Sequence, residues 1–211
     1  MTQAINVAGE RVLLDARRAM FWPSENALLV ADVHLGKASL MRQAGAALPR
    51  GTTTGDLDRL STLVADHRPQ RVLVLGDLTH GAETLDAPWL RRFAEWRREH
   101  TSMGITLIAG NHDRHMVLPE LDIEVVPHLD ASPFHFSHAP TTHARHHVIA
   151  GHLHPAARFR DGRIAQRWPA FWIGEKRSVL PAFGSLTGLA PMSADRTDRV
   201  YAATPGGILA L

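Results

Sequence analysis

Ile105-Thr106-Leu107-Ile108-Ala109-Gly110-Asn111-His112-Asp113 is the stretch on which the reading of the whole chain turns. Its first five residues are apolar or β-branched and predict a buried strand. Gly110 breaks the run, and an amide, an imidazole and a carboxylate follow in succession. Open α/β sheets place their sites beyond the carboxyl ends of buried strands. One such end is weak evidence, but the pattern recurs. Ala27–Ala31 leads to Asp32-Val33-His34, and Arg71–Leu75 leads to Gly76-Asp77. Phe134-His135-Phe136 leads to Ser137-His138, and Val148-Ile149-Ala150 to Gly151-His152-Leu153-His154.

Between these ends the periodicity is helical. Lys37–Ala44 predicts a helix stopped at Gly45. Thr52, Thr53 or Thr54 is placed to cap the next helix, whose apolar stripe is Leu57, Leu60, Leu63 and Val64. Asp86 and Pro88 mark a third helix start, with Arg91, Arg92, Arg97 and Arg98 read as its solvated face. Ahead of them, residues 5–22 read as an antiparallel meander. After Pro155 the chain turns to short strands: a hairpin turn at Asp161-Gly162, then Phe171–Ile173, Val179–Phe183 and Val200–Ala203. The order is β-α-β-α-β followed by an almost all-β half. Two sheets packed face to face with helices outside satisfy it. There is no repeat, low-complexity tract or linker, so residues 1–211 are read as a single α/β domain.

Composition bounds the function. At 211 residues, 45% hydrophobic and 21% charged, the chain suits one soluble globular domain. It has no apolar run of about 18 residues, so no membrane span is expected. The first residues, Met1-Thr2-Gln3-Ala4, do not read as a signal peptide. Cysteine is absent, which excludes disulfides and thiolate ligands and is compatible with a reducing, cytoplasmic location. Histidine is abundant, with 14 residues. The pI is about 9.6 although the formal charge is only +2, and the basic residues are mainly arginine. Arginine favours bidentate phosphate contacts, but so small a net charge does not by itself argue for nucleic acid.

The five strand ends offer Asp32 with His34, Asp77, Asn111 with His112, His138, and His152 with His154. On an extended backbone, residues at i and i+2 point to one side, so Asp32/His34 and His152/His154 each read as a pair able to grip one ion. Carboxylate, imidazole and amide oxygen suit Mn, Fe or Zn. The ligands outnumber the four or so that one such ion takes, so two ions are expected. Asp77, alone on its strand end, is placed to bridge them. Two ions roughly 3.5–4 Å apart clamp the attacking and leaving oxygens of a phosphoryl transfer.

This ordered series resembles that of the calcineurin-like metallophosphoesterases, whose fold is a four-layer α-β-β-α sandwich of two mixed sheets flanked by helices. The resemblance implies that Asp32, His34, Asp77 and His154 hold one metal, and Asp77, Asn111, His138 and His152 the other. It implies that His112 assists the leaving oxygen. Within the family, Ala31–Lys37, Pro49-Arg50-Gly51-Thr52, Gly76–His80 and Gly151–Pro155 are similar to the ligase-associated DNA-damage-response endonucleases (the PdeM group). That similarity implies Mn-dependent phosphodiester cleavage in bacterial DNA repair, with a DNA ligase and a helicase as functional associates. The chain departs from many phosphoesterases at Ser137-His138-Ala139, where glycine is usual beside the histidine. His135 and His143 stand nearby as alternatives to His138.

Simpler readings exist for each part. Asp77 alone is a helix cap, and His152 and His154 alone are core histidines. His80 is read either as a substrate contact or as a local hydrogen-bonding group. Arg114 is a candidate phosphate contact, Lys37 and Arg50 are weaker ones, and His115, His143, His146 and His147 are read as structural. Gly36-Lys37-Ala38-Ser39 is not a P-loop, because Ala31 stands where that motif needs glycine. Three functions fit the whole. The first is a binuclear phosphodiesterase acting on DNA, single-stranded in preference to duplex, in which metal-bridged hydroxide attacks phosphorus. The second is a hydrolase of small phosphoesters or nucleotides. The third is a non-catalytic scaffold, disfavoured because every ligand and His112 are present.

Overall fold

The computed structural model describes the chain except for residues 50, 81–86, 114–120, 162–163 and 193–194. The turn at Gly162 and the helix-start residue Asp86 therefore lie outside the described residues. The expected meander is β1 (Thr2–Val7), β2 (Glu10–Asp15) and β3 (Ala19–Trp22), and β4 (Ala27–Val30) continues it antiparallel. β5 (Arg71–Leu75), β6 (Gly104–Ile108) and β7 (Glu124–Val126) then add in parallel, giving a first sheet in sequence order. Among the described residues, α1 (Lys37–Gln43) and α2 (Thr52–His67) connect β4 to β5, and α3 (Pro88–Glu99) connects β5 to β6.

The second sheet comprises β8 (Leu129–Ala131), β9 (Phe134–Ser137), β10 (His147–Ala150), β11 (Pro155–Asp161), β12 (Ile164–Ile173), β13 (Arg177–Val179), β14 (Ala190–Pro191), β15 (Arg199–Thr204) and β16 (Gly207–Ala210). Its order is β14-β11-β12-β13-β10-β9-β8, with β15 and β16 added beside β12. β9, β10 and β13 run parallel and their neighbours antiparallel, so both sheets are mixed.

Strand alternation decides the layers. Leu28, Val30, Val72, Val74, Ile105 and Leu107 face α2 and α3, where they meet Leu57, Leu60, Leu63, Phe93 and Trp96. Ala27, Leu29, Leu73, Leu75 and Ile108 face the other way and pack on Phe134, Phe136, Ile149 and Phe171 of the second sheet. The central strands are thus buried on both faces, which is why they read as continuous apolar runs. Ala170, Trp172, Val179 and Ala202 form a small cluster of their own with Ala157 and Val200. No helix follows α3 among the described residues, so the helical layer there lies on the first sheet alone.

Three expectations need correction. The cap of α2 is Gly51, at φ +91°, and Thr52 is already helical, so no threonine side chain caps the helix. Arg97 is not on the solvated face of α3. It is 4% exposed, and its guanidinium donates to the carbonyls of Leu121 (3.0 Å) and His100 (2.6 Å) and to Asp122 Oδ2 (3.2 Å). The strand expected over Val179–Phe183 ends at Val179. Beyond it, Phe183 N–H donates to Ala31 O at 2.7 Å, so this segment crosses to the end of β4.

Candidate metal centre

Five of the seven metal-ligand candidates do not lie on extended backbone. Asp32 (φ +52°), His34 (+52°), Asp77 (+49°), His152 (+70°) and His154 (+48°) are all left-handed. They are half of the non-glycine residues with positive φ among those described. That conformation is uncommon outside glycine and concentrates where function demands a fixed side chain. The i, i+2 rule for extended strands therefore does not apply here. One of its consequences fails: His152 and His154 join different clusters.

Asp32, His34 and His154 bring their ligand atoms within 4.8 Å of one another, and Asp77, His138 and His152 do the same. Asp77 lies between them. Its Oδ2 is 3.8 Å from His34 Nε2, and its Oδ1 is 3.6 Å from His138 Nε2. Asn111 Oδ1 is 3.0 Å from His138 Nε2 and so belongs to the second group. All seven candidates lie close together, with Asp32, His34 and His154 in one group, Asn111, His138 and His152 in the other, and Asp77 reaching both. His135 and His143 do not join them; they gather around Asp130 instead.

The donor chemistry fits divalent ions. His138 Nδ1 lies 3.1 Å from Leu75 O, which can only accept, so this nitrogen carries the proton and Nε2 presents a lone pair. Nε2 faces Asn111 Oδ1 at 3.0 Å, Asp77 Oδ1 at 3.6 Å and His152 Nδ1 at 3.0 Å. In the first group, Asp32 Oδ1 and His34 Nε2 are buried without a hydrogen-bond partner. Buried acceptors without donors are costly, and converging ones call for a cation. Burial, followed by the nearby charge of Lys37, pushes the His34 pKa down to about 2. The ring is therefore neutral, as a ligand must be.

The loops hold one another. Asp32 Oδ2 accepts the His152 N–H at 2.9 Å, and Asp77 Oδ1 accepts the His112 N–H at 3.0 Å. Asp113, given no role from sequence, braces two ends at once: Oδ1 accepts Thr79 N–H at 3.1 Å and Oδ2 accepts Gly110 N–H at 2.9 Å. Gly76, at φ +77°, lies against the His138 ring, and a methyl group there would overlap it. A second contribution unread from sequence is the 183–184 segment. Gly184 N–H donates to Asp32 O at 3.1 Å, while Arg59 donates to Phe183 O and Arg18 to Gly184 O. Only proximity in three dimensions reveals that link.

His112 is 38% exposed at its side chain, unlike the buried Asp77 beside it. His80 packs on the His112 ring at 4.2 Å between centroids, and its Nδ1 is 2.9 Å from His34 Nδ1. Burial, reinforced by His112 and Lys37, lowers the His80 pKa to about 4. Burial lowers the Lys37 pKa, against the opposing charges of Asp77 and Asp32. Arg114, Arg50 and His115 lie outside the described residues.

Residues 26–148 match the family model described as calcineurin-like phosphoesterase. The chain belongs to that family. This phosphoesterase is also similar to the Pseudomonas putida nuclease MPE, with 39% identity, all of both chains covered and a TM-score of 0.86. It is more distantly similar to YfcE, a phosphoesterase from E. coli, at 13% identity and TM-score 0.42 over 83% of this chain and 86% of the other. A search of curated proteins found no match. The phosphoesterase is a hydrolase, and its two Asp/His clusters are compatible with the two divalent metals of its family. Among the described residues, no helix is long and apolar enough to cross a membrane.

Proposed function

We propose that this phosphoesterase is a single-domain, Mn-dependent endonuclease that cuts single-stranded DNA in bacterial, cytoplasmic DNA repair, with a DNA ligase and a helicase as functional associates. The observation that carries the nucleic-acid reading is the full-length likeness, at 39% identity, to a protein described as a nuclease. A groove of about 700 Å³ supports it. Its lining includes His152, Leu153, Pro140, Lys176 and Arg177. Its lining also includes Glu175, Asp195 and Asp198, so its charge is mixed.

Asp32, His34, Asp77 and His154 would hold one ion, and Asp77, Asn111, His138 and His152 the other. Bound there, the ions would lower the pKa of a shared water and offset the charge of the phosphoryl oxygens. The protein supplies the rest. Asp77 fixes the spacing of the two sites, because each of its oxygens faces a different histidine. His112, the partly exposed ring at the edge of the centre, delivers a proton to the departing oxygen. His80 carries the hydrogen bond and the ring contact that hold His34 and His112 in orientation. Arg114 is assigned a phosphate contact on sequence grounds alone.

Circular single-stranded DNA incubated with enzyme and Mn tests the reading. Linear product is expected, with duplex DNA cut more slowly and with binding that weakens as salt rises. An intact circle beside rapid hydrolysis of a nucleotide would instead identify a small-phosphoester hydrolase built on the same centre.

A further inference from the structure

Of the 14 histidines, six surround the centre just described: His34, His80, His112, His138, His152 and His154. Three others have evident structural partners. His67 bonds Asp15 Oδ2 at 3.1 Å, His100 bonds Trp96 O at 2.8 Å, and His147 bonds Ser178 Oγ at 2.8 Å. The remaining described histidines are His128, His135, His143 and His146, and the last three gather around one carboxylate, Asp130. His135 Nδ1 is 2.7 Å and His146 Nδ1 3.4 Å from Asp130 Oδ1. The His143 ring stacks between those of His135 (4.6 Å) and His146 (4.8 Å), and His128 lies 5.5 Å from His135.

We propose that Asp130, His135 and His143, with His146 beside them, form a further divalent transition-metal site, separate from the dinuclear centre. One ligand atom from each of the first three lies within 4.8 Å of the others. Ligands around one zinc-type ion, each roughly 2.0–2.2 Å from it, stand no more than about 4 Å apart, so the ligand atoms must close by about 1 Å as well as aim at one point. An imidazole-rich set with one carboxylate selects Zn, Cu or Ni over Mg, Ca or Mn. Two of the ligands sit on rigid structure, for Asp130 and His135 are directly paired across β8 and β9. Phe134 and Phe136, the strand neighbours of His135, point into the core between the sheets. His135 therefore points to the opposite, outer face.

His143 is the mobile ligand. Its ring is nearly parallel to that of His135, at 10°, and two parallel rings cannot both aim an in-plane lone pair at one ion. His143 is half-buried on the connection between β9 and β10, so it is the ring that turns. Its Nδ1 already presents a lone pair, which accepts the His146 N–H at 2.9 Å, and binding exchanges that hydrogen bond for the ion. His143 also lines the groove that includes His152. An ion here would fix one wall of that groove.

Zinc counting tests the site. Wild type, His135→Ala/His143→Ala and Asp77→Asn are loaded with Zn²⁺, desalted and measured for zinc per chain, with circular dichroism to confirm folding. Wild type is expected to hold one zinc more than the double variant. Asp77→Asn is expected to keep that zinc while losing ions at the dinuclear centre. Equal counts in wild type and the folded double variant overturn the site, as does a folded Asp77→Asn protein stripped of all zinc. If either variant fails to fold, the wild type decides: saturating zinc is expected to shift the imidazole nitrogen resonances of His135 and His143, and unchanged resonances overturn the proposal. No activity is measured, so the result stands whatever the substrate proves to be.

Discussion

The main-chain N–H of His112 donates to Oδ1 of Asp77 at 3.0 Å. This bond ties the end of β6 to the end of β5 and sets the His112 ring beside the carboxylate that faces both ligand clusters. That registration matters to the proposed centre, because each strand end delivers only part of the candidate ligand set.

Asp77→Ala is expected to abolish activity and to weaken both metal sites, since it removes one ligand from each. Metal analysis of the purified variant checks this. Retention of two ions per chain would falsify the bridging role.

His112→Ala is expected to keep both ions, because Asn111 supplies the ligand at that strand end. Turnover should fall by about 10²–10⁴-fold, the usual contribution of a general acid. Steady-state rates measured beside metal content separate the two effects. A normal rate, or a protein stripped of metal, would show the role to be wrong.

Gly110→Ala tests packing at the centre. A methyl group on Gly110 would overlap Asp77 Oδ1 and crowd the Asp77 main-chain nitrogen. The variant is expected to lose about 1–3 kcal/mol of stability, as overpacked sites do. Metal occupancy should fall with it, which urea denaturation and metal analysis read separately. A variant with wild-type stability and full metal content contradicts the geometry.

Asp15 predicts an acid limb away from the centre. Burial alone would raise its pKa, but hydrogen bonds from Arg17 (2.6 and 2.9 Å) and His67 (3.1 Å) outweigh it and hold the carboxyl well below the usual carboxylate range. A depressed folded-state pKa contributes stability above the unfolded value and loses it as pH falls through the folded one. Between about pH 7 and about pH 2, wild type should lose on the order of 2 kcal/mol more than Asp15→Asn, whose amide does not titrate. Urea midpoints at the two pH values check this. Parallel losses in the two proteins would remove Asp15 as the cause.

The sequence by itself determined the central strands, the order of the metal-ligand candidates and the α/β class. Strands such as β4, β5 and β6 are buried on both faces, so their apolar runs stand out, and polar residues at their ends are conspicuous by contrast. It did not reveal β7 or β8, because Glu124 and Asp130 break the pattern on short strands with exposed faces. It misplaced Arg97, because a long side chain at a helix end can turn inward whenever loop carbonyls such as Leu121 O accept from it. Spacing along the chain paired His152 with His154, and the tertiary structure separates them. His152 and His154 are two residues apart, yet left-handed backbone at both sends them to different clusters. It also separated His138 from His135 and His143, which alternate along nearly the same stretch of chain. His138 lies where β9 ends beside Leu75 O, whereas His135 lies on the opposite face of that strand, against Asp130. Spacing along a chain cannot make that distinction, because a ligand set is defined by where lone pairs converge, and convergence depends on how the two sheets pack.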